Sequence, residues 1–228
     1  MQKHCVIAID GPAGAGKTTM AKCLADTLGI HILDTGALFR ALALCALRKG
    51  VDLKDHEAVK QAVEDAKVTI EVGEAGQKTF LNGEDVSKAI RTPEVGAGAS
   101  TIGAVGFVRE VLTKQVRRIA AELSVVVDGR DVGTAMLPNA DVKFFLTAKP
   151  EERAERRRKE QEAKGLHESF EQVLADMQQR DYDDSHRAAA PLKAAEDAVA
   201  VNTTGETVEQ SVARMKKLVN DRLASCGR

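Results

Sequence analysis

Residues 5–18 read CVIAIDGPAGAGKT: an unbroken apolar run, a glycine-rich stretch, then a lysine and a threonine. Five apolar residues in succession, without alternation, describe a strand buried on both faces, as in the centre of a parallel sheet. The segment that follows, Gly11-Pro12-Ala13-Gly14-Ala15-Gly16-Lys17-Thr18, matches G-x-x-x-x-G-K-[ST] at every fixed position. Glycines let backbone N–H groups converge on phosphate oxygens with no Cβ in the way. From Lys17 the pattern turns helical, so the loop feeds a helix N-terminus, whose unpaired donors and dipole favour an anion. Lys17 brings a point charge to the β- and γ-phosphates, and Thr18 offers a hydroxyl to Mg2+. A lysine is otherwise disfavoured in a first helical turn. The segment Gly11–Thr19 is therefore expected to bind ATP.

Strand-like and helix-like segments alternate along most of the chain. After the helix at 17–28 come a short strand at HILD (31–34), a helix over 37–50 ending at Gly50, and a helix over 55–66. The texture then changes: KVTIEV (67–72) alternates, a Gly-rich break follows at 73–76, and KTFLNGEDV (78–86) reads as the return strand of an antiparallel hairpin. Helix resumes over 93–122, broken near Gly103 to Gly106. Buried strands are expected at SVVVD (124–128) and VKFFL (142–146), a charged helical region over 150–181, a last strand at DAVAVN (197–202) and a closing amphipathic helix. This order predicts an α/β fold, a central parallel sheet with helices on both faces, carrying a small antiparallel β insert and a helical lid. The expected organisation is a single domain over 1–228. Its core covers about 1–62, 92–149 and 185–228, with an insert at about 63–91 and a lid at about 150–184.

Ligands of such sheets bind beyond the carboxyl ends of the strands. The run VVVDGRDVGT (125–134) sends three valines straight into Asp128, Arg130 and Asp131, so these charges are expected at the ligand crevice. An acid ending a buried strand commonly holds Mg2+ or its water shell beside a phosphate loop. Asp128 is a candidate for that role with Thr18; a turn-capping role is the alternative.

Composition narrows the remaining classes. The chain has 228 residues, 33 Lys+Arg against 34 Asp+Glu, and 3% aromatics with no Trp. That balance argues against a protein built to coat nucleic acid or a membrane surface, and so few aromatics argue against a stacking platform for single strands. Cys5, Cys23, Cys45 and Cys226 form no CxxC pair and no finger spacing with His. They read as small apolar residues in a reducing compartment. The early apolar run is too short for a signal sequence or a membrane span, so a cytoplasmic protein is expected, with monomer as the default state. No N-K-x-D segment is present to read guanine, and the D-x-x-G at Asp26–Gly29 falls inside the first helix, which weakens a GTP-switch reading.

Arginines recur at Arg40, Arg109, Arg130, Arg153, Arg157, Arg180 and Arg187. ATP and a nucleoside monophosphate together bring roughly six negative charges, of which one Mg2+ offsets about two, so several fixed cations must neutralise the rest. The planar guanidinium fork suits that task. Arg156, Arg158 and Lys159 instead fit a solvated helix face, with Glu152–Arg156 and Glu155–Lys159 at i,i+4. Arg153 and Arg157 fit either description.

Four stretches, IDGPAGAGKTT (9–19), LDTGALFR (33–40), DGRDVGT (128–134) and RDYDDSHRAAAPL (180–192), closely resemble the bacterial cytidylate kinases, which are P-loop nucleoside monophosphate kinases. IRTPEVGAGAS (90–100), Arg109 and the helical region after Pro150 fit as well, so the resemblance covers nearly the whole chain. It implies phosphoryl transfer from ATP to CMP or dCMP, with Mg2+. It implies that Lys17, Arg130, Arg187, Arg153 and Arg157 serve catalysis. Arg40, Arg130 and Arg187 would hold the acceptor phosphate, and Ser100, Arg109 and Asp131 would read the cytosine edge. Arg180 and Asp184 would reach the sugar, Thr35, Gly36 and Phe39 would line the monophosphate site, and Arg153 and Arg157 would close over ATP. Two positions depart from the expected form. Thr35 stands for a Ser and keeps the hydroxyl; Phe39 stands for a Tyr, so only packing is retained there.

The chemistry agrees with that expectation. An acceptor phosphate is already a nucleophile at neutral pH, so catalysis reduces to alignment, charge neutralisation and exclusion of water. Asp131 could accept from the cytosine N4 amino group, whereas uracil would present O4 to its lone pairs, a mismatch costing about 1–3 kcal/mol. Asp131 could instead anchor Arg130 or Arg109, and both roles are compatible. A UMP or dTMP kinase, and a nucleotide-binding regulator without transfer activity, are the alternatives.

Overall fold

The computed structural model describes residues 4–73, 76–163 and 165–225. Cys226 and the middle of the break expected at 73–76 lie outside the described residues. In chain order the elements are β1 (Val6–Asp10), α1 (Lys17–Leu28), β2 (His31–Asp34), α2 (Thr35–Arg48), α3 (His56–Val63), β3 (Val68–Gly73), β4 (Gly76–Leu81) and β5 (Glu84–Asp85). A 3-10 turn (Ala89–Arg91) leads to α4 (Pro93–Ile102), α5 (Gly106–Glu122) and β6 (Val125–Asp128). A π-helical turn (Val132–Met136), β7 (Val142–Thr147), α6 (Pro150–Glu162), α7 (Phe170–His186), β8 (Val199–Asn202) and α8 (Val208–Ser225) complete the chain. The fold is α/β, as the alternation of strand and helix predicts, and it divides into two compact units.

The first unit combines the chain up to Ile30 with everything from Ser124. Within it β1 pairs in parallel with β6 on one side and β7 on the other, and β8 pairs in parallel with β7. Every residue of β1 and of β6 is buried, so helices must cover both faces of the sheet there. Ile7 and Ile9 have no exposed surface, and each contributes about 1.5–3 kcal/mol through burial. Helix α1 ends on Gly29 in the left-handed conformation, its N–H reaching the carbonyls of Ala25 and Asp26. That accounts for the D-x-x-G spacing at 26–29: the glycine is a helix cap.

The charged region after 149 forms two helices, α6 and α7. Their shared face is apolar, with Ala154, Val173 and Met177 buried together and Ala13, Phe170 and Leu174 packed against them. Ser169 caps α7 by accepting from the Gln172 N–H.

The second unit spans His31–Leu123. Helix α2 is its hub, buried along Ala37, Leu38, Ala41, Leu42, Ala43, Cys45 and Ala46. Helix α4 approaches it closely at Gly98, where a Cβ would lie 2.8 Å from Leu53 Cδ1 and 3.4 Å from Ala43 Cβ. The hairpin expected over 67–86 is present, with β3 and β4 antiparallel from Val68↔Leu81 to Gly73↔Gly76. Its second half differs from the expected single return strand. Asn82 and Gly83 both take positive φ (52° and 88°), so the chain turns back and β5 pairs with β4. An Asn-Gly pair is the ordinary chemistry of so tight a turn. Among the described residues no single helix is long and apolar enough to cross a membrane.

Candidate active site

In the first unit the glycine-rich loop links β1 to α1. Gly11 passes so close to β7 that a Cβ would stand 2.2 Å from the Leu146 carbonyl oxygen. Gly14 and Gly16 adopt left-handed φ of 69° and 83°, and Gly16 opens α1 directly. Lys17 is buried and its Nζ donates to the Pro12 carbonyl at 2.8 Å, curling the side chain back over the loop. Burial, then the neighbouring Arg130 charge, push its pKa down to about 7, and Asp128 partly opposes them. An ammonium held this way gains most when a phosphate replaces the missing counter-charge.

Thr18 Oγ1 donates to Asp128 Oδ2 at 2.5 Å. The helix-start hydroxyl and the acid at the end of β6 thus meet, as both segments predict. Among the described residues no group of three or more His, Cys, Asp or Glu could hold a metal ion. Two hard oxygens of this kind would suit Mg2+, which keeps most of its ligands as water or phosphate when only one or two protein oxygens hold it.

Sequence reasoning passed over Asp10, the last residue of β1. It is buried, and its two carboxylate oxygens accept the N–H groups of Val132 (2.8 Å) and Gly133 (2.7 Å). The π-helical turn that follows Asp131 is therefore held against the strand that carries the phosphate loop. Burial raises the Asp10 pKa to about 6, against the lowering effect of those two backbone donors. The signal was available: an acid inside a buried strand needs donors.

Four predicted residues of this unit form one network. Arg187 Nη2 donates to Asp131 Oδ1 at 3.0 Å, and Arg130 Nε donates to Asp184 Oδ2 at 3.2 Å. Arg187 also approaches Asp184 Oδ1 at 3.5 Å and donates from Nε to the Ala190 carbonyl at 2.8 Å. Asp131 thus does anchor an arginine, and the partner is Arg187. Arg180 lies near enough to Lys17 to depress its pKa further.

Arg153 and Arg157 separate. Arg157 keeps 41% of its side chain exposed and pairs with Glu160 on its own helix. Arg153 is buried, with Nη1 on the Ala13 carbonyl (2.9 Å) and the Asp181 carboxylate (2.5 Å), and Nε on the Ala148 carbonyl (3.1 Å). Glu152–Arg156 and Glu155–Lys159 pair as their spacing predicts. Arg156 additionally donates to the Oγ1 and carbonyl of Thr203.

In the second unit Thr35, Gly36, Phe39 and Arg40 lie in the first two turns of α2. Thr35 is buried, and Arg40 Nη2 pairs with Asp34 at 2.8 Å. Asp34 also caps the helix by accepting from Ala37 N–H, and Arg91 approaches it at 3.3 Å. A Cβ on Gly36 would lie 3.0 Å from Asp34 Oδ1 and 3.2 Å from Arg40 Nη1, so glycine leaves room for this pair. Gln77 on β4 holds the Asp34 backbone from both sides, accepting its N–H and donating to its carbonyl. Arg109 stacks over Phe39 at 5.5 Å and donates to the Gly103 carbonyl. Ser100 is half-buried on α4. Asp34 and Gln77 were passed over because nothing in their spacing marks them as partners.

The family model for cytidylate kinase matches residues 7–221. The chain belongs to the cytidylate kinase family. A relative from Anoxybacillus flavithermus, named cytidylate kinase, is 44% identical over 223 residues, covering 98% of this chain and 99% of its own. Another from Desulforamulus reducens, also named cytidylate kinase, is 48% identical over 214 residues, covering 93% and 95%. Among solved structures, an uncharacterized protein from Eubacterium ventriosum covers 96% of this chain and 99% of its own with a TM-score of 0.53 at 14% identity. That last likeness concerns the fold alone.

Proposed function

We propose that this member of the family transfers the γ-phosphoryl group of ATP to CMP and dCMP by direct in-line displacement. The observation that carries the reading is the meeting of Lys17, Thr18 and Asp128 at the mouth of the glycine-rich loop. It is a preformed site for a nucleotide polyphosphate. Thr18 and Asp128 would hold Mg2+, which supplies charge neutralisation on the phosphate oxygens. Gly11–Thr19 bind the donor phosphates, and Lys17, made poor in counter-charge by burial, neutralises the group in flight.

The acceptor is assigned to Thr35, Gly36, Phe39, Arg40, Ser100, Arg109, Arg130, Asp131, Arg180, Asp184 and Arg187, with the roles the resemblance implies. Arg130 and Arg187 are held by Asp184 and Asp131, so their guanidinium planes are oriented before an anion arrives. Arg157, exposed on α6, is the lid arginine for ATP. A single kinase domain with a monophosphate-binding insert (about 63–91) and a lid (about 150–184), a cytoplasmic location, a monomeric state, and no polymeric nucleic acid or membrane partner complete the reading.

The test is a panel of CMP, dCMP, UMP and dTMP with ATP. CMP and dCMP are expected to be the preferred acceptors, and faster turnover of UMP than of CMP overturns the specificity. ATP binding with no diphosphate product from any acceptor replaces the enzyme with a nucleotide-binding regulator. Arg130→Ala is expected to raise KM for CMP far more than KM for ATP.

A further inference from the structure

Asp181 was assigned nothing by the sequence, and Arg153 was expected to reach ATP. Both sit instead on one residue of the glycine-rich loop. Asp181 Oδ1 accepts the Ala13 N–H at 3.2 Å, and Arg153 Nη1 donates to the Ala13 carbonyl at 2.9 Å. The two side chains pair with each other at 2.5 Å. Arg153 comes from α6 and Asp181 from α7, so two helices close a ring through the backbone of Ala13. The ring is largely shielded, with Arg153 7% and Asp181 20% exposed at the side chain. It sits against Gly14, where Arg153 Cβ and carbonyl oxygen each approach the place of a Cβ to 3.0 Å.

We propose that Asp181 and Arg153 are positioning residues for the phosphate loop: they fix the peptide planes on either side of Ala13, and with them the direction of the amides that meet the donor phosphates. The argument is geometric. A loop rich in glycine has many accessible backbone states, and an anion cradle works only if its donors already converge. A carboxylate on the N–H and a guanidinium on the carbonyl of one residue define its orientation at both ends. Both bonds are charge-assisted, hence stronger than a neutral pair. Arg153 acts through the loop, and the charge that meets ATP from this helix belongs to Arg157.

The inference rests on the proposed nucleotide site but not on the identity of the acceptor. Its test measures KM for ATP and for CMP, kcat, the calorimetric Kd for ADP and the Tm in wild type, Asp181→Ala, Asp181→Asn, Arg153→Met and the Asp181→Ala/Arg153→Met double variant. Loss of the acceptor of a partly buried amide predicts roughly a tenfold rise in ATP KM and ADP Kd for Asp181→Ala, with CMP KM within about twofold. Asp181→Asn keeps an acceptor for the amide and is expected to recover part of that loss. The double variant should be no weaker for ADP than the worse single variant, because the two act as one unit. ADP affinity unchanged in Asp181→Ala, ATP and CMP KM rising together, or additive single losses would each overturn the proposal. If Asp181→Ala does not fold, unchanged ADP affinity in both Asp181→Asn and Arg153→Met overturns it. A wild-type protein that binds ADP but phosphorylates no acceptor removes the kinase reading and leaves the ADP test intact.

Discussion

Replacing Gly14 with alanine tests whether the phosphate loop is braced by the helices behind it. Two costs add at this position. The backbone sits at φ 69°, a left-handed conformation that costs a non-glycine residue about 1–2 kcal/mol. The new methyl would also lie 2.7 Å from Met177 Cε and 3.0 Å from both Cβ and the carbonyl oxygen of Arg153. Met177 can swing its terminal methyl away; the Arg153 backbone moves only with helix α6. Overpacking of that kind costs about 1–3 kcal/mol. The sum is roughly 2–5 kcal/mol, or a drop in Tm of about 6–15 °C at some 3 °C per kcal/mol for a chain of this size. Gly16→Ala is the internal reference, since φ is 83° but the nearest atom to its Cβ, Arg156 Nη1, is 3.8 Å away. Only the backbone cost of about 1–2 kcal/mol applies there. Thermal unfolding of the nucleotide-free proteins measures both. Equal losses in the two variants would refute the claim that α6 buttresses the loop at Gly14.

Two titrations supply further checks. Asp10 has its folded pKa raised from 3.8 to about 6, so the folded protein binds the extra proton between those values. The stability contributed there is present at low pH and lost as pH rises, by about 3 kcal/mol. Wild-type stability minus that of Asp10→Asn, measured in urea, should therefore fall by about 2 kcal/mol from pH 4 to pH 7; a pH-independent difference rejects it. Lys17, with a pKa of about 7 in the free protein, is mostly neutral at pH 8 and should regain its proton when a phosphate arrives. Magnesium-free ADP binding at pH 8, where the nucleotide phosphate is ionised, should take up a substantial fraction of a proton. Calorimetry in buffers of different ionisation enthalpy reads this uptake, and no buffer dependence contradicts it.

Much of the fold and part of the site were legible in the residues. The run CVIAI, buried throughout and entering β1 at Val6, could be read because its apolar pattern has only one comfortable setting between two helical layers. The glycine-rich loop was legible because its chemistry demands small residues, a lysine and a hydroxyl at fixed separations along the chain. The meeting of Thr18 with Asp128 was also foreseen, since parallel strands deliver their carboxyl ends to one edge. The break of KTFLNGEDV at Asn82-Gly83 was written in the residues, as an Asn-Gly turn pair, and passed over.

Other features belong to tertiary structure. Arg153 and Arg157 lie on one charged helix, and nothing in their spacing tells them apart. Only the packing of α6 on α7 turns one inward to Ala13 and Asp181 and leaves the other in water. Asp131 could be read as a base-reading acid or as an anchor for Arg130 or Arg109, but its pairing with Arg187 depends on where a segment 56 residues later returns. Local pattern specifies which residues are buried and where the chain turns, because propensity and periodicity act within a few positions. The partner of a charge is set by distances through space, which the linear order does not encode, and so the ring around Ala13 and the brace from Asp10 exist only once the chain has folded.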